Sequence, residues 1–180
     1  MLNFTSKRST QYQSGMSLIE ILVTVVILSI GLLGIAATQT VGVGYNHDSY
    51  LRSQATMMIN ELTERMSLNL DAVNNNDFNV NAFNMAGCGT APAALCEGTV
   101  NCTPQQLATY DIYKISCGYD ANGNDGITNI FPSGALAVAC IDSDAGVDAD
   151  PCTDGSNHQI VISWQRANLA QAQVQLVVRP

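Results

Sequence analysis

Residues 14 to 34 read SGMSLIEILVTVVILSIGLLG, and how this run is read decides the fold of the whole chain. From Ile21 to Ala37 the only polar side chains are Thr24 and Ser29, and each can return its hydroxyl to a helix carbonyl. Met16 to Thr38 makes 23 residues, a helix of about 34 Å at 1.5 Å per residue. That length crosses a hydrocarbon layer of about 30 Å. Glu20 breaks the pattern, because a carboxylate at membrane depth is costly and calls for a partner. The preceding residues, MLNFTSKRSTQYQS, are polar and carry Lys7 and Arg8. The positive-inside rule holds those two in the cytoplasm and sends the remainder outward. A secretory signal is the plainer alternative, with AAT at 36–38 as its small-residue cleavage site. The run is longer than an ordinary signal core, and Glu20 lies inside it.

A chain of 180 residues has room for one globular domain plus extras. The net charge is −8, from 15 acids against 7 bases. Beyond residue 15 the bases are Arg52, Arg65, Lys114, Arg166 and Arg179, and they form no stripe. A surface of this sign repels phosphate backbones, so nucleic acid is not expected as a partner.

Six cysteines, Cys88, Cys96, Cys102, Cys117, Cys140 and Cys152, all follow the apolar run. An even number in a small domain beyond a membrane span reads as an oxidised compartment and a disulfide framework. Zinc is the rival, but no C-x-x-C spacing occurs. The pairings stay open; Cys140 with Cys152, and Cys88 with Cys96 or Cys102, would close short loops.

Past the span, Leu51, Ala55, Met58, Leu62 and Met66 recur at helical spacing and predict an amphipathic continuation of the first helix, over about residues 17 to 68. Glu61 and Arg65 can pair on its wet side, and Gly42 and Gly44 mark points where it can bend. The Asn-, Gly- and Ala-rich stretch 69–102 reads as a long loop with short irregular pieces. In TPQQLATYDIYKIS, Thr103 suits an N-cap, Pro104 the first helical position and Gln106 a capping box. Leu107, Tyr110, Lys114 and Ile115 give that helix a face. The alternation in YDIYKI would also suit a strand, and helix is preferred. GALAVACI (134–141), HQIVISWQ (158–165) and AQVQLVVR (172–179) predict antiparallel strands.

GMSLIEILVTVVILSIGLLG, taken with its basic leader, resembles the class III signal of type IV pilins and related pseudopilins. The resemblance implies an α+β, pilin-like fold: a long N-terminal helix packed on a small antiparallel sheet, stabilised by disulfides. It implies that a prepilin peptidase cuts between Gly15 and Met16 and that Met16 is then N-methylated. Glu20 becomes the fifth mature residue. If subunits stagger side by side, Glu20 of one meets the α-amino group of Met16 on the next, since a buried carboxylate wants such a donor. The implied organisation is a leader at 1–15, a transmembrane and assembly helix at 16–38, its amphipathic half at 39–70, and a head at 71–180. Within the superfamily the chain is most similar to PilV-type minor pilins, on ILSIGLLGIAATQT, on TPQQLATYDIYK ahead of FPSGALAV, and on VISWQ.

The implied partners are other minor pilins and the major pilin through the N-terminal helix, the prepilin peptidase, the inner-membrane assembly machinery and a tip adhesin. The implied location is the inner membrane with a periplasmic head before assembly, and the cell-surface pilus afterwards, serving adhesion and twitching motility. The competing functions are a type II secretion pseudopilin, an adhesin or DNA-uptake pilin, and a plain membrane-anchored periplasmic protein.

No cofactor is expected, with calcium as the one exception weighed. DANGNDGI opens with Asp120, Asn122 and Asn124 like an EF-hand ladder, but position six is Asp125 and position twelve is Phe131. Asp142, Asp144, Asp148 and Asp150 form a second acidic group, and the plainer reading of both is a wet acidic loop. Asp111, Asp120 and His158 lack diagnostic spacing, and hydrolase motifs are absent, so no enzyme activity is expected.

Overall fold

The structure is a computed structural model that describes residues 15–98, 100–119, 125–141, 152, 155–166 and 170–180. The chain divides into two compact units, Met1–Asn46 and His47–Pro180. Helix α1, Leu18–Ser67, contributes to both.

In the first unit, α1 is helical through Gly31, Gly34, Gly42 and Gly44. Thr24 Oγ1 donates to the Ile21 carbonyl at 2.8 Å and Ser29 Oγ to that of Val25 at 2.7 Å. Both hydroxyls are thus absorbed by their own helix, leaving a surface of Ile, Leu and Val. Those side chains are exposed all round the helix, from Leu18 to Ile35. Apolar on every side and uncovered by any of the described residues, this helix is long and apolar enough to cross a membrane.

In the second unit the remainder of α1 is followed by α2 (Leu70–Asn74), β1 (Val80–Phe83), a 3₁₀ turn (Met85–Gly89), α3 (Pro104–Cys117), α4 (Ile127–Ile130), β2 (Ala135–Ile141), β3 (Asn157–Trp164) and β4 (Ala172–Val178). The sheet is antiparallel in the order β1-β2-β3-β4. Seven residues of β2 pair in unbroken register with β3, from Ala135↔Ser163 to Ile141↔Asn157, and β4 does the same on the other side. Alternation sets the inner face: His158, Ile160, Ile162 and Trp164 of β3 are buried, together with Leu136 and Val138 of β2. Leu51, Ala55, Ile59, Leu62 and Met66 of α1 join the same core. Ile59 holds the place that spacing gave to Met58, which is only half-buried against this core. The 3.6-residue repeat favours one neighbour over the other, and branched Ile fills the dry position. Phe131 meets Trp164 at 5.2 Å between ring centroids, and the Arg52 guanidinium lies 6.0 Å from the Trp164 ring.

The stretch expected to be a long loop with short irregular pieces, 69–102, contains three ordered pieces: α2, β1 and the 3₁₀ turn. β1 is short and pairs with β2 through an irregular register, so too few alternating residues were present to signal a strand. Asn69 anchors this stretch: its Nδ2 donates to the Pro104 carbonyl at 2.8 Å.

α3 is a helix and not a strand, and its start explains why. Thr103 Oγ1 accepts from the Gln106 amide at 3.2 Å, and Gln106 Oε1 accepts from the Thr103 amide at 2.9 Å. With Pro104 at the first helical position, two otherwise orphaned donors are satisfied. The buried face is Ala108, Ile112 and Ile115 with Tyr110 and Asp111 beside it, while Leu107 and Lys114 are half-buried. Thr103→Ala is expected to cost about 1 kcal/mol, read as a small drop in the thermal midpoint with the far-ultraviolet spectrum unchanged.

Candidate functional site

Gly15, Met16 and Ser17 precede α1, and the amides of Glu20 and Ile21 donate to the Ser17 carbonyl at 3.0 and 3.4 Å. Met16 is 68% exposed and Glu20 is exposed in the first helical turn. A carboxylate there faces the positive end of the helix dipole. The arrangement is an apolar rod with one acid near its tip, four residues beyond Met16. Chemically it can pair one cation and bury a large oily surface.

All six cysteines are paired: Cys88–Cys117, Cys96–Cys102 and Cys140–Cys152, with Cα separations of 5.5, 5.9 and 6.0 Å. Cys140 does close a short loop with Cys152. Cys88 joins neither Cys96 nor Cys102 but Cys117, which lies 29 residues away. The reason is α3. Its capping box fixes the chain just after Cys102, so Cys102 folds back on Cys96, while the far end of the helix delivers Cys117 to the 3₁₀ turn that carries Cys88.

The polar residues of the head knit elements together. Arg65 bonds Asp111 at 2.6 Å and Glu61 at 3.1 Å, and Tyr119 Oη donates to Glu61 at 2.9 Å. Burial pushes the Asp111 carboxyl up, and the Arg65 guanidinium opposes that rise. Burial and the bond to Glu61 push the Tyr119 hydroxyl up. Lys114 pairs with Glu97 at 2.9 Å, and Tyr110 donates to the same carboxylate. Glu61, Glu64, Met57, Met58, Tyr119 and Ile130 line an open groove of about 540 Å³.

At the start of the head, Asp48 accepts from Arg166 Nε at 2.9 Å and from Arg52 at 3.2 Å. The Arg166 bond, aided by Arg52, holds the Asp48 carboxyl below its ordinary 3.8. A depressed folded value means that the unfolded chain takes up the proton first as pH falls. The margin over an Arg166→Gln variant is therefore expected to be complete above pH 3.8 and to shrink as the pH falls through the lowered value. Urea midpoints of both proteins along a pH series measure this.

Asp111 and His158 do not come together: the first pairs with Arg65 on α1, the second lies on β3 beside the Cys140–Cys152 pair. His47 is exposed on α1. The calcium candidates Asp120, Asn122, Asn124, Asp142, Asp144 and Asp148, with Asp150, lie outside the described residues. Asp125 accepts from the Tyr119 amide at 2.8 Å. Sequence reasoning missed the Arg65–Asp111 and Asp48–Arg166 pairs, whose partners are 46 and 118 residues apart. No local spacing announces contacts of that range.

Residues 10–36 match the family model of the prokaryotic N-terminal methylation motif, and residues 37–113 match the model described as type IV pilin Tt1218. The two matches abut, and the second takes in the head side of α1 and most of α3. No curated protein and no solved structure matches the chain.

Proposed function

We propose that this chain is a member of the type IV pilin superfamily, a reading supported by the matches over residues 10–36 and 37–113, and that it is a minor pilin that helps prime or cap a pilus. The observation that carries the reading is the bare apolar surface of α1 with Glu20 in its first turn. Such a surface needs a second apolar environment: lipid before assembly, neighbouring helices after it. In this reading residues 1–15 are the leader, 16–38 the membrane and assembly helix, 39–70 its amphipathic half and 71–180 the head. Cleavage between Gly15 and Met16 removes Lys7 and Arg8 from the helix end and creates an α-amino group there. That group, N-methylated on Met16, pairs with Glu20 of a neighbour in the fibre. The partners are the prepilin peptidase, the inner-membrane assembly machinery, other minor pilins, the major pilin and a tip adhesin. The head waits in the periplasm and ends on the cell-surface pilus, serving adhesion and twitching.

Mass spectrometry of the mature protein is the direct test. An N-methylated Met16 terminus is expected, and retention of residues 1–15 would remove the main support. Glu20→Val is expected to be processed and membrane-inserted yet missing from sheared pili. Normal recovery of that variant in the fibre fraction would end the pairing role of Glu20. Recovery of the parent protein only with secretion-system fibres would replace the pilus reading by the pseudopilin one.

A further inference from the structure

His158 sits on the inner face of β3 directly opposite Cys140 of β2, at the second-last pair of the ladder. It is 1% exposed. Its Nδ1 lies 3.3 Å from the Ser156 carbonyl oxygen, and because a carbonyl only accepts, Nδ1 carries the ring proton. Nε2 is therefore left with its lone pair, buried and without a hydrogen-bond partner among the described residues. An unpartnered polar atom in a dry core is costly. Beside it, a ring nitrogen of His158 and the sulfurs of Cys140 and Cys152 all lie within 4.8 Å of one another. Cys140 is half-buried and so opens this corner to solvent.

Two sulfurs and one imidazole nitrogen form a donor set for a borderline-soft divalent ion. Tetrahedral zinc, with bonds of about 2.3 Å to sulfur and 2.0 Å to nitrogen, sets its ligands roughly 3.5–3.8 Å apart. Once the disulfide opens, the two sulfurs part from bonding distance to that spacing, and the ring nitrogen, already within 4.8 Å of both, closes on them. The carbonyl at Nδ1 is the usual outer partner of a ligating histidine, fixing the tautomer and leaving Nε2 to the ion.

We propose that, when the Cys140–Cys152 disulfide is open, these two cysteines and His158 form a zinc site, with the fourth position left to solvent. The corner thus has two closed states, a disulfide and a metal thiolate. A dithiol reductant gives two electrons and two protons to the S–S bond, becoming a cyclic disulfide and leaving two thiols. Zinc(II) then forms two metal–sulfur bonds and releases both thiol protons, while His158 supplies a lone pair without losing a proton. The absence of any C-x-x-C is no obstacle, because the hairpin and not a local turn gathers the ligands.

The test uses the full chain in detergent micelles, reduced with a phosphine under anaerobic conditions and titrated with cobalt(II). The phosphine becomes its oxide with oxygen from water and leaves the same two thiols. Expected is a thiolate-to-cobalt charge-transfer band with tetrahedral ligand-field bands, saturating at one equivalent and bleached by zinc(II). The oxidised protein should show none of it. Cys140→Ser should abolish the bands, and His158→Gln should weaken binding at least ~10-fold. The paired variant Cys88→Ser with Cys117→Ser should keep them, which guards against loss by general unfolding. No band in the reduced protein, a band that survives Cys140→Ser, or an affinity indifferent to His158→Gln would each overturn the proposal.

Discussion

Arg65→Met is expected to destabilise the head by about 3–5 kcal/mol, because it strands a buried carboxylate. Asp111 is 3% exposed on α3, and its ion-pair partner is the Arg65 guanidinium at 2.6 Å. Burial already pushes the Asp111 carboxyl up, so the charged form survives only through that partner. The same guanidinium holds Glu61, which in turn accepts from Tyr119, and its carbon lies 5.3 Å from the Tyr119 ring centroid. One substitution therefore loosens α1, the end of α3 and the chain beyond it together. A drop of about 10 °C in the thermal midpoint is expected for a unit of this size. The double variant Arg65→Met with Asp111→Leu should recover most of the loss, since apolar pairs of similar volume often match a buried ion pair. An unchanged midpoint in the single variant, or no recovery in the double, would show that the pair does not act in this way.

Gly126→Ala is expected to cost about 3 kcal/mol through overpacking against backbone. A β-carbon at this position would stand 2.5 Å from the Gly118 nitrogen and 2.6 Å from the Ser116 carbonyl oxygen. Neither atom sits at the end of a movable side chain. The Ser116 carbonyl also accepts from Thr128 Oγ1 at 3.0 Å, so shifting the end of α3 would break a buried bond as well. The nearby Gly89 has open space where a β-carbon would go, so Gly89→Ala is the control and should leave the midpoint where it is. Chemical denaturation of both variants, with the disulfides intact, measures the difference. Equal midpoints would contradict the close approach.

The elements with a strong local signal were legible before any coordinates. The apolar run and its single acid gave the first helix, found at Leu18–Ser67. The Thr103–Pro104–Gln106 signature decided α3 against the competing strand pattern, because capping chemistry acts over three residues and leaves a trace at that range. β-branched runs gave β2, β3 and β4 to within a residue or two. What escaped depends on distant partners. β1 is four residues long and takes its strand character from β2. The Cys88–Cys117 link needed the direction of α3. Of the candidate site, the residue types were readable and their surroundings were not: that the His158 ring lies beside two sulfurs, with Nε2 orphaned, follows from the β2–β3 register and the Cys140–Cys152 bridge together.

That register carries a consequence for variation. Ile141 and Asn157 face each other at the mouth of the β2–β3 hairpin, and the Cys140–Cys152 bridge clasps the chain beside them. The register and the bridge together fix both ends of the interval between these two residues, and Cys152 and Ser156 within it are buried. Changes in this interval that spare those two residues leave the seven β2–β3 pairs and their clasp in place.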